Sequence, residues 1–130
     1  MGVRTVFPEI VPEKATARIT ADLKDHTGTA IPDTALVTLT LVLYERDTLA
    51  IVNSVGPTPV NILNAGRGTV TSAGLLTLLL DPLDNKIIGT NPVPLEEHHI
   101  ALIQFTYGAG GTKAGRHEIE LTVRNMDLVT

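Results

Sequence analysis

The sequence predicts an all-β fold, namely an antiparallel β-sandwich of about seven or eight short strands with an extended N-terminal arm. Three observations support this prediction. Apolar side chains recur at every second position, which is the strand period. No segment carries the apolar stripe of an amphipathic helix. Clusters of Gly, Pro, Asn and Asp separate the apolar runs at intervals of roughly 8–12 residues. An immunoglobulin-like topology and a jelly roll both fit this spacing.

The first two regular strands are predicted in the N-terminal third. Residues 16–23 alternate polar and apolar side chains without a break, as a half-buried strand does. Residues 24–33 form a loop by composition, with one Gly, one Pro and two Asp. Residues 35–44 form the second strand and carry apolar side chains on both faces. Such a strand is central in its sheet, or its outer face contacts something else.

The middle of the chain is less regular. Residues 48–53 and 69–71 are predicted as short strands, each ended by Gly, Pro or Ser turns. Residues 75–80, with the sequence LLTLLL, are bounded by Gly74 and Pro82. Leucine favours helices, but the space between these two breakers is too short for one. The segment is therefore predicted as a strongly apolar strand.

The C-terminal third predicts a β-hairpin. Residues 97–107 and 116–125 alternate as strands, and residues 108–115 between them contain four glycines. Pairing from the ends of this glycine-rich tip places Tyr107 opposite Arg116. The two aromatic side chains of the first hairpin strand share its inward face, which predicts that they belong to the core.

The length, composition and charge of the chain exclude several classes of functional site and partner. The chain has 130 residues, which suits one sandwich domain over residues 15–130 after an arm over residues 1–14. It has no cysteine, so disulfides, thiolate metal sites and a cysteine nucleophile are excluded. Its net charge of −4 argues against nucleic acid as a partner. Its apolar runs are far shorter than the roughly 20 residues of a membrane span, and its start lacks the apolar stretch of a signal peptide.

The strongest candidate for a metal site is the run Glu-Glu-His-His at residues 96–99, with His117 and Glu118 as further ligands. Neighbouring residues of a strand point to opposite faces, so His98 and His99 cannot bind one ion together. In the predicted hairpin register, His117 lies about 23 Å from His99 along the strand. We therefore predict a solvated charge cluster with no metal. A hydrolase that uses this cluster is the enzymatic alternative, and the same geometry disfavours it.

Other catalytic patterns are missing from the sequence. Ser54 and Ser72 lie next to turns and outside any G-x-S-x-G motif. The glycine-rich tip continues into a strand, whereas a phosphate-binding loop leads into a helix. The carboxylate pairs Asp81 with Asp84 and Glu118 with Glu120 are predicted to be solvated. We assign no catalytic, cofactor-binding or metal-binding residue.

The arm is the feature that predicts a partner. Pro8 and Pro12 keep residues 1–14 extended, and apolar side chains in a segment outside the core need another surface to cover them. Deleting the arm is expected to leave the domain folded and to abolish its incorporation into an assembly. The hairpin tip adds two basic residues. The predicted partner-binding residues are Val3, Val6, Phe7, Ile10, Val11, Lys113 and Arg116.

Several segments resemble a group of small virion proteins of tailed bacteriophages. The resemblance extends over residues 35–125, about two-thirds of the chain. Its main element is EEHHIALIQFTYGAGGTKAGRHEIELTVRN, which combines a glutamate–histidine start, an aromatic strand, a glycine-rich tip and a closing E-x-x-V-x-N strand. The other elements are VTLTLVLYERDT at residues 37–48, the step at residues 61–64, and GLLTLLLDPLDNKII at residues 74–88. The resemblance implies a β-sandwich virion protein without enzymatic activity.

We therefore expect a non-enzymatic virion structural protein, assembled in the host cytoplasm and needing no cofactor. A thin acidic domain with an apolar arm suits a capsid decoration (cement) protein that binds the major capsid protein, forms a homo-oligomer within the assembly and gains by repetition over many sites. A neck or tail adaptor, or a tail-associated immunoglobulin-like module that binds other virion proteins, stays open. A module for host-surface carbohydrate is less favoured, because sugar sites use exposed aromatic side chains and only 3% of the residues are aromatic.

Overall fold

Strands make up most of this computed structural model, which describes residues 3–52, 68–80, 82–89 and 94–125. The only helical segments among these residues are three short 3-10 turns. The seven strands are β1 (Val3–Pro12), β2 (Ala17–Asp22), β3 (Leu36–Glu45), β4 (Gly68–Val70), β5 (Leu75–Leu80), β6 (Glu96–Tyr107) and β7 (Lys113–Arg124). The predicted all-β sandwich is therefore confirmed.

The strands form a sheet of four and a sheet of three. The larger sheet has the order β1-β7-β6-β3 and the smaller has the order β2-β5-β4. All pairs are antiparallel except β1 with β7, which is parallel. This order corresponds to the immunoglobulin arrangement in which the second, fourth and fifth strands form one sheet and the third, sixth and seventh the other. β1 joins the sheet of the last strand. β3 lies at the edge of the four-stranded sheet. The apolar side chains on its outer face are therefore not explained by a central position in the sheet.

The core lies between the two sheets and is almost entirely aliphatic. In β3 every second side chain points inward, and Leu39, Leu41 and Leu43 are fully buried. In the smaller sheet Ile19 pairs with Leu78 across β2 and β5, and both belong to the same buried cluster. Each fully buried side chain of this kind contributes roughly 1.5–3 kcal/mol. Residues 75–80 are a strand as predicted, because the alternation of buried and half-buried leucines fits the sheet period.

The β6–β7 hairpin is present, but its predicted register is wrong by three residues. Tyr107 pairs with Lys113, and Arg116 pairs with Gln104. The tip is shorter than its glycine content indicated. Three glycines between the strands have φ between 69° and 82°, a region that other residues adopt only with strain, and they allow the chain to turn within residues 108–112. The strand β7 therefore starts at Lys113, inside the predicted tip.

One glycine of the predicted tip has a different role within β7. Gly115 pairs with Phe105, and a Cβ atom at Gly115 would lie 2.5 Å from the Phe105 ring. Only glycine, which has no side chain, leaves room for the Phe105 ring at this position. Phe105 and Tyr107 are both buried, with ring centroids 6.1 Å apart, so their predicted place in the core is confirmed.

The predicted N-terminal arm is extended, but it is not separate from the sandwich. Residues Val3 to Val6 and Ile10 to Pro12 pair with β7, and a bulge interrupts the pairing between Val6 and Ile10. This gap contains Pro8, which lacks the N–H group that a regular ladder needs. The chain then turns sharply, with Lys14 at φ 60°, and enters β2. The segment is an outer strand of the four-stranded sheet.

Two shorter strands were predicted in the middle of the chain, and their outcomes differ. Residues 69–71 correspond closely to β4 (Gly68–Val70). Of the strand predicted at residues 48–53, the described residues 48–52 do not form a strand, because among them only Ile51 forms an isolated bridge, to Tyr44. Glu45 shapes the turn before this bridge, since its Oε2 accepts hydrogen bonds from the backbone N–H groups of Asp47 and Thr48. The step at residues 61–64 lies outside the described residues.

Candidate functional site

The N-terminal residues predicted to bind a partner are divided by β1 between the surface and the core. Val6 is 65% exposed and Ile10 is 46% exposed. Phe7 is half-buried against the core, and Val11 is 3% exposed within a second buried cluster. Val3 pairs with β7 through its backbone. We call Val6 and Ile10 the β1 edge. Val11 is a core residue, because β1 is a strand of the sheet and turns this side chain inward.

The two basic residues predicted to bind a partner lie at the start of β7. Lys113 and Arg116 are both exposed. Arg116 also borders a shallow depression on the outer face of the larger sheet, between β3, β6 and β7. Both residues precede the part of β7 that pairs with β1, which begins at His117.

A cleft of about 870 Å³ opens between β1 and β2, where the outer strands of the two sheets face each other. Residues 5–8 of β1 form one side, and residues 18–26 form the other. Part of the lining is apolar and comes from Ile19, Phe105 and Ile119. We call this space the β1–β2 cleft. The sequence does not predict this cleft, because the cleft forms only when β1 pairs with β7 and leaves the edge of β2 uncovered.

Polar groups converge on the β1–β2 cleft from four strands and a loop. The backbone N–H of His26 donates a hydrogen bond to the Tyr107 hydroxyl at 3.3 Å, and His26 Nδ1 lies 3.4 Å from the same oxygen. On the β7 side, His117 Nε2 lies 3.3 Å from the Thr5 hydroxyl. Asp22 ends β2 and exerts an electrostatic effect on His117. The cleft is therefore amphipathic, with hydrogen-bonding groups beside apolar walls.

Burial lowers the pKa of His117 from its usual value of 6.5, and the negative charge of Asp22 raises it by a smaller amount. A buried imidazole loses the hydration that its charged form needs, which favours the neutral form. The unfolded chain therefore binds a proton at this residue more readily than the folded chain does. The consequence is a linkage between pH and stability.

We expect the free energy of unfolding to fall as the pH drops below about 6.5, and the His117 contribution to level off below its lowered pKa in the fold. Melting midpoints measured between pH 7.5 and pH 5 check this. His117→Gln should flatten the profile, because its side chain does not titrate. Asp22→Asn should steepen it, because the charge that opposes the shift is removed. Identical slopes in all three proteins would contradict the assignment.

The run at residues 96–99 is split between the two faces of β6, as the alternation argument predicted. Glu96 points outward and accepts hydrogen bonds from Arg124 at 2.8 and 3.2 Å. His98 also points outward, with Nδ1 3.2 Å from the Thr122 hydroxyl. Glu97 and His99 point inward and are 6% and 0% exposed. The prediction of a solvated cluster is therefore wrong for the inward pair.

Glu97 anchors the chain that precedes β6. Its two carboxylate oxygens accept hydrogen bonds from the backbone N–H groups of Ile88 at 3.0 Å and Gly89 at 2.9 Å. His99 Nε2 lies 2.6 Å from Glu97 Oε1. These contacts satisfy a buried carboxylate, which otherwise destabilises a fold strongly. Sequence alone did not reveal this role, because it depends on residues 87–89 lying against the end of β6.

The Glu97–His99 pair is poorly placed for catalysis. His99 Nδ1 is buried and has no hydrogen-bond partner, so in this conformation a substrate has no path to the free nitrogen. A general base must come within hydrogen-bond reach of the proton that it removes. His117 pairs with Ile103 and His99 with Leu121, so the two histidines are about 13 Å apart along the strand direction, where the predicted register gave about 23 Å. The pair instead contributes buried hydrogen bonds at the start of β6.

The carboxylate pairs proposed from sequence differ in their surroundings. Glu118 and Glu120 are partly exposed on the outer face of β7. Asp84 is fully buried, contrary to the prediction that it is solvated, because its 3-10 turn (Pro82–Asn85) lies against the sandwich. Asp81 lies outside the described residues. Within the ranges that the structure describes, no three His, Asp or Glu side chains converge as a metal ion would require.

No family model matches the chain, and no curated protein matches it. In the described part of the chain, no helix has the length and apolar character needed to cross a membrane.

Proposed function

We propose that this chain is a non-enzymatic structural protein of a virion, a decoration (cement) protein that binds the major capsid shell through the β1 edge. The observation that carries the proposal is the exposure of Val6 and Ile10 on an outer strand. Apolar side chains grouped at a strand edge are typical of a surface that another protein covers. The resemblance of residues 35–125 to phage virion proteins supports the setting.

Other features support binding by surface contact. The inward side chains of Glu97 and His99 form hydrogen bonds within the fold. The net charge of −4 gives no attraction to nucleic acid. All four aromatic side chains of the chain are buried or half-buried, which weighs against a sugar site built on exposed rings. A homo-oligomer repeated over a shell gains stability by avidity even when each contact is modest.

The double substitution Val6→Asp with Ile10→Asp tests the proposal. We expect the variant to fold and to lose at least about 100-fold in affinity for the shell, because two apolar contacts of roughly 1.5 kcal/mol or more are replaced by charges. The measurement is co-sedimentation with purified capsid shells across a concentration series. Melting should change by only a few degrees.

Leu49→Asp is the matched control, since Leu49 is 67% exposed in a turn away from β1. This residue has φ 63°, a conformation that Asp tolerates better than Leu, so the fold should not suffer. The control should bind shells as the unchanged protein does. Equal shell binding by the double variant would contradict the role of the β1 edge, and binding to neck or tail complexes alone would favour the adaptor alternative.

A further inference from the structure

The outer edge of β2 is an unpaired strand edge. β2 pairs only with β5 among the described strands, in a continuous register from Ala17 to Asp22. In an antiparallel pair every second residue directs its N–H and C=O groups away from the partner. On β2 these groups face the β1–β2 cleft. No backbone hydrogen bond from elsewhere in the described chain reaches the residues of β2.

β2 is a better template for a further strand than β1. β1 carries Pro8 and Pro12 and has a bulge, and each of these features disfavours continued pairing. β2 has neither proline nor bulge. Its outer face presents Arg18, Thr20 and Asp22, and its inward side chains belong to the core. The two outer strands thus offer different contacts, side chains on β1 and backbone groups on β2.

The size of the cleft matches one short strand. Strand and sheet spacings give an extended residue roughly 160 Å³, from about 3.4 Å along the strand, about 4.8 Å between strands and about 10 Å between sheets. A cleft of about 870 Å³ therefore holds about five or six extended residues. This length equals that of β2, which has six residues.

The charges around the cleft favour an acidic occupant. Three cationic residues line it, Arg18, Lys24 and Arg116, against the two carboxylates of Asp22 and Asp25. None of the three forms an ion pair within the described residues. The carboxylate of Asp25 already accepts hydrogen bonds from Thr27 and Thr29 within its own loop. The surroundings of the cleft are thus cationic on balance, although the whole chain is anionic.

We propose that the β1–β2 cleft binds an extended acidic segment of a partner protein, which adds to the free edge of β2 as a strand. Main-chain hydrogen bonds to β2 would supply affinity, as in other cases of strand addition. Alternate apolar side chains of the segment lie against the apolar lining, and its carboxylates face Arg18 and Lys24. The proposal shares with the proposed function the premise that the chain binds proteins, and Val6 of the β1 edge also lines the cleft.

Two blocked hexapeptides test the inference on the isolated full-length protein. One alternates valine with glutamate, and the other alternates valine with lysine. Titration followed by amide NMR should show tighter binding of the glutamate peptide, with shifts and slowed hydrogen exchange in β2. The net charge of −4 predicts the opposite preference, so the two peptides separate local recognition from overall attraction.

Charge-reversal variants locate the site. Arg18→Glu with Lys24→Glu should weaken the glutamate peptide by roughly tenfold, as expected for the reversal of two exposed cross-strand charge contacts. Lys86→Glu is the matched control, because Lys86 is exposed and outside the cleft, and it should bind as the unchanged protein does. Because these side chains are exposed, the variants should keep the melting temperature.

Several results would overturn the inference. These are the absence of binding at millimolar peptide, equal or tighter binding of the lysine peptide, and shifts confined to the β1 edge. Protection of the β2 amides in a dimer without peptide would assign the cleft to a second copy instead. Shell binding is measured separately by co-sedimentation, and Ile10 lies outside the cleft lining, so failure of peptide binding and failure of shell binding are distinguishable.

Discussion

Leu78→Asp is expected to leave the protein unfolded at room temperature. Leu78 is fully buried at the middle of β5, opposite Ile19 on one side and Gly68 on the other. Removing a buried leucine side chain typically destabilises a protein by about 2–5 kcal/mol, and an unpaired buried carboxylate adds several more. The total approaches the roughly 5–15 kcal/mol by which folded domains are stable. Circular dichroism at 25 °C and a thermal melt measure the outcome.

Leu79→Asp is the matched control on the same strand. Leu79 is only half-buried on the opposite face of β5, where it pairs with Arg18. An aspartate there would lie opposite a positive charge, so we expect a folded protein that melts cooperatively. A native-like melt for Leu78→Asp would show that β5 does not face the core as described.

Deletion of residues 1–14 is expected to destabilise the domain by roughly 3–5 kcal/mol. The estimate combines the burial of Val11, which is 3% exposed, with the partial burial of Phe7. The deletion also uncovers the edge of β7. The expectation from sequence is that the domain stays folded without these residues, and the pairing of β1 with β7 adds to it a loss of stability. A fall of at least about 10 °C in the melting midpoint is the expected measurement.

The β1 edge variants supply the control for this deletion. Val6→Asp with Ile10→Asp keeps the strand and changes only its exposed side chains, so its melting midpoint should lie close to that of the unchanged protein. A truncated protein that melts like the intact one would show that β1 contributes little to stability. Loss of shell binding by truncation would then report on the contact surface alone.

The regular strands were predictable because their burial follows their own sequence. In β7 the apolar residues Ile119, Leu121 and Val123 alternate with polar ones, and the structure buries each of the three. In β5 the breakers Gly74 and Pro82 limit the apolar run to strand length. Each of these predictions depends only on a few neighbouring residues in the sequence.

The missed features depend on contacts between distant segments. Pro8 and Pro12 argued for an arm, yet prolines are compatible with an outer strand when they lie at a bulge or a strand end. The hairpin register depends on the φ angles that Gly108 and its neighbours adopt, which their composition leaves open. The burial of Glu97 depends on two backbone N–H groups contributed by another segment. Local patterns cannot predict such pairings.

The parallel pairing of β1 with β7 has a consequence for biosynthesis. Thr5 and His117, which contact each other in the folded protein, are 112 positions apart in the chain. At about 5–20 residues per second, the ribosome needs roughly 6 to 22 s to deliver the second after the first. Throughout that interval β1 lacks the strand with which it pairs in the folded protein. Pro8 interrupts this waiting segment, and proline on an unpaired strand hinders pairing with other nascent chains. The same proline that interrupts the ladder in the finished sheet is therefore expected to limit such pairing during translation.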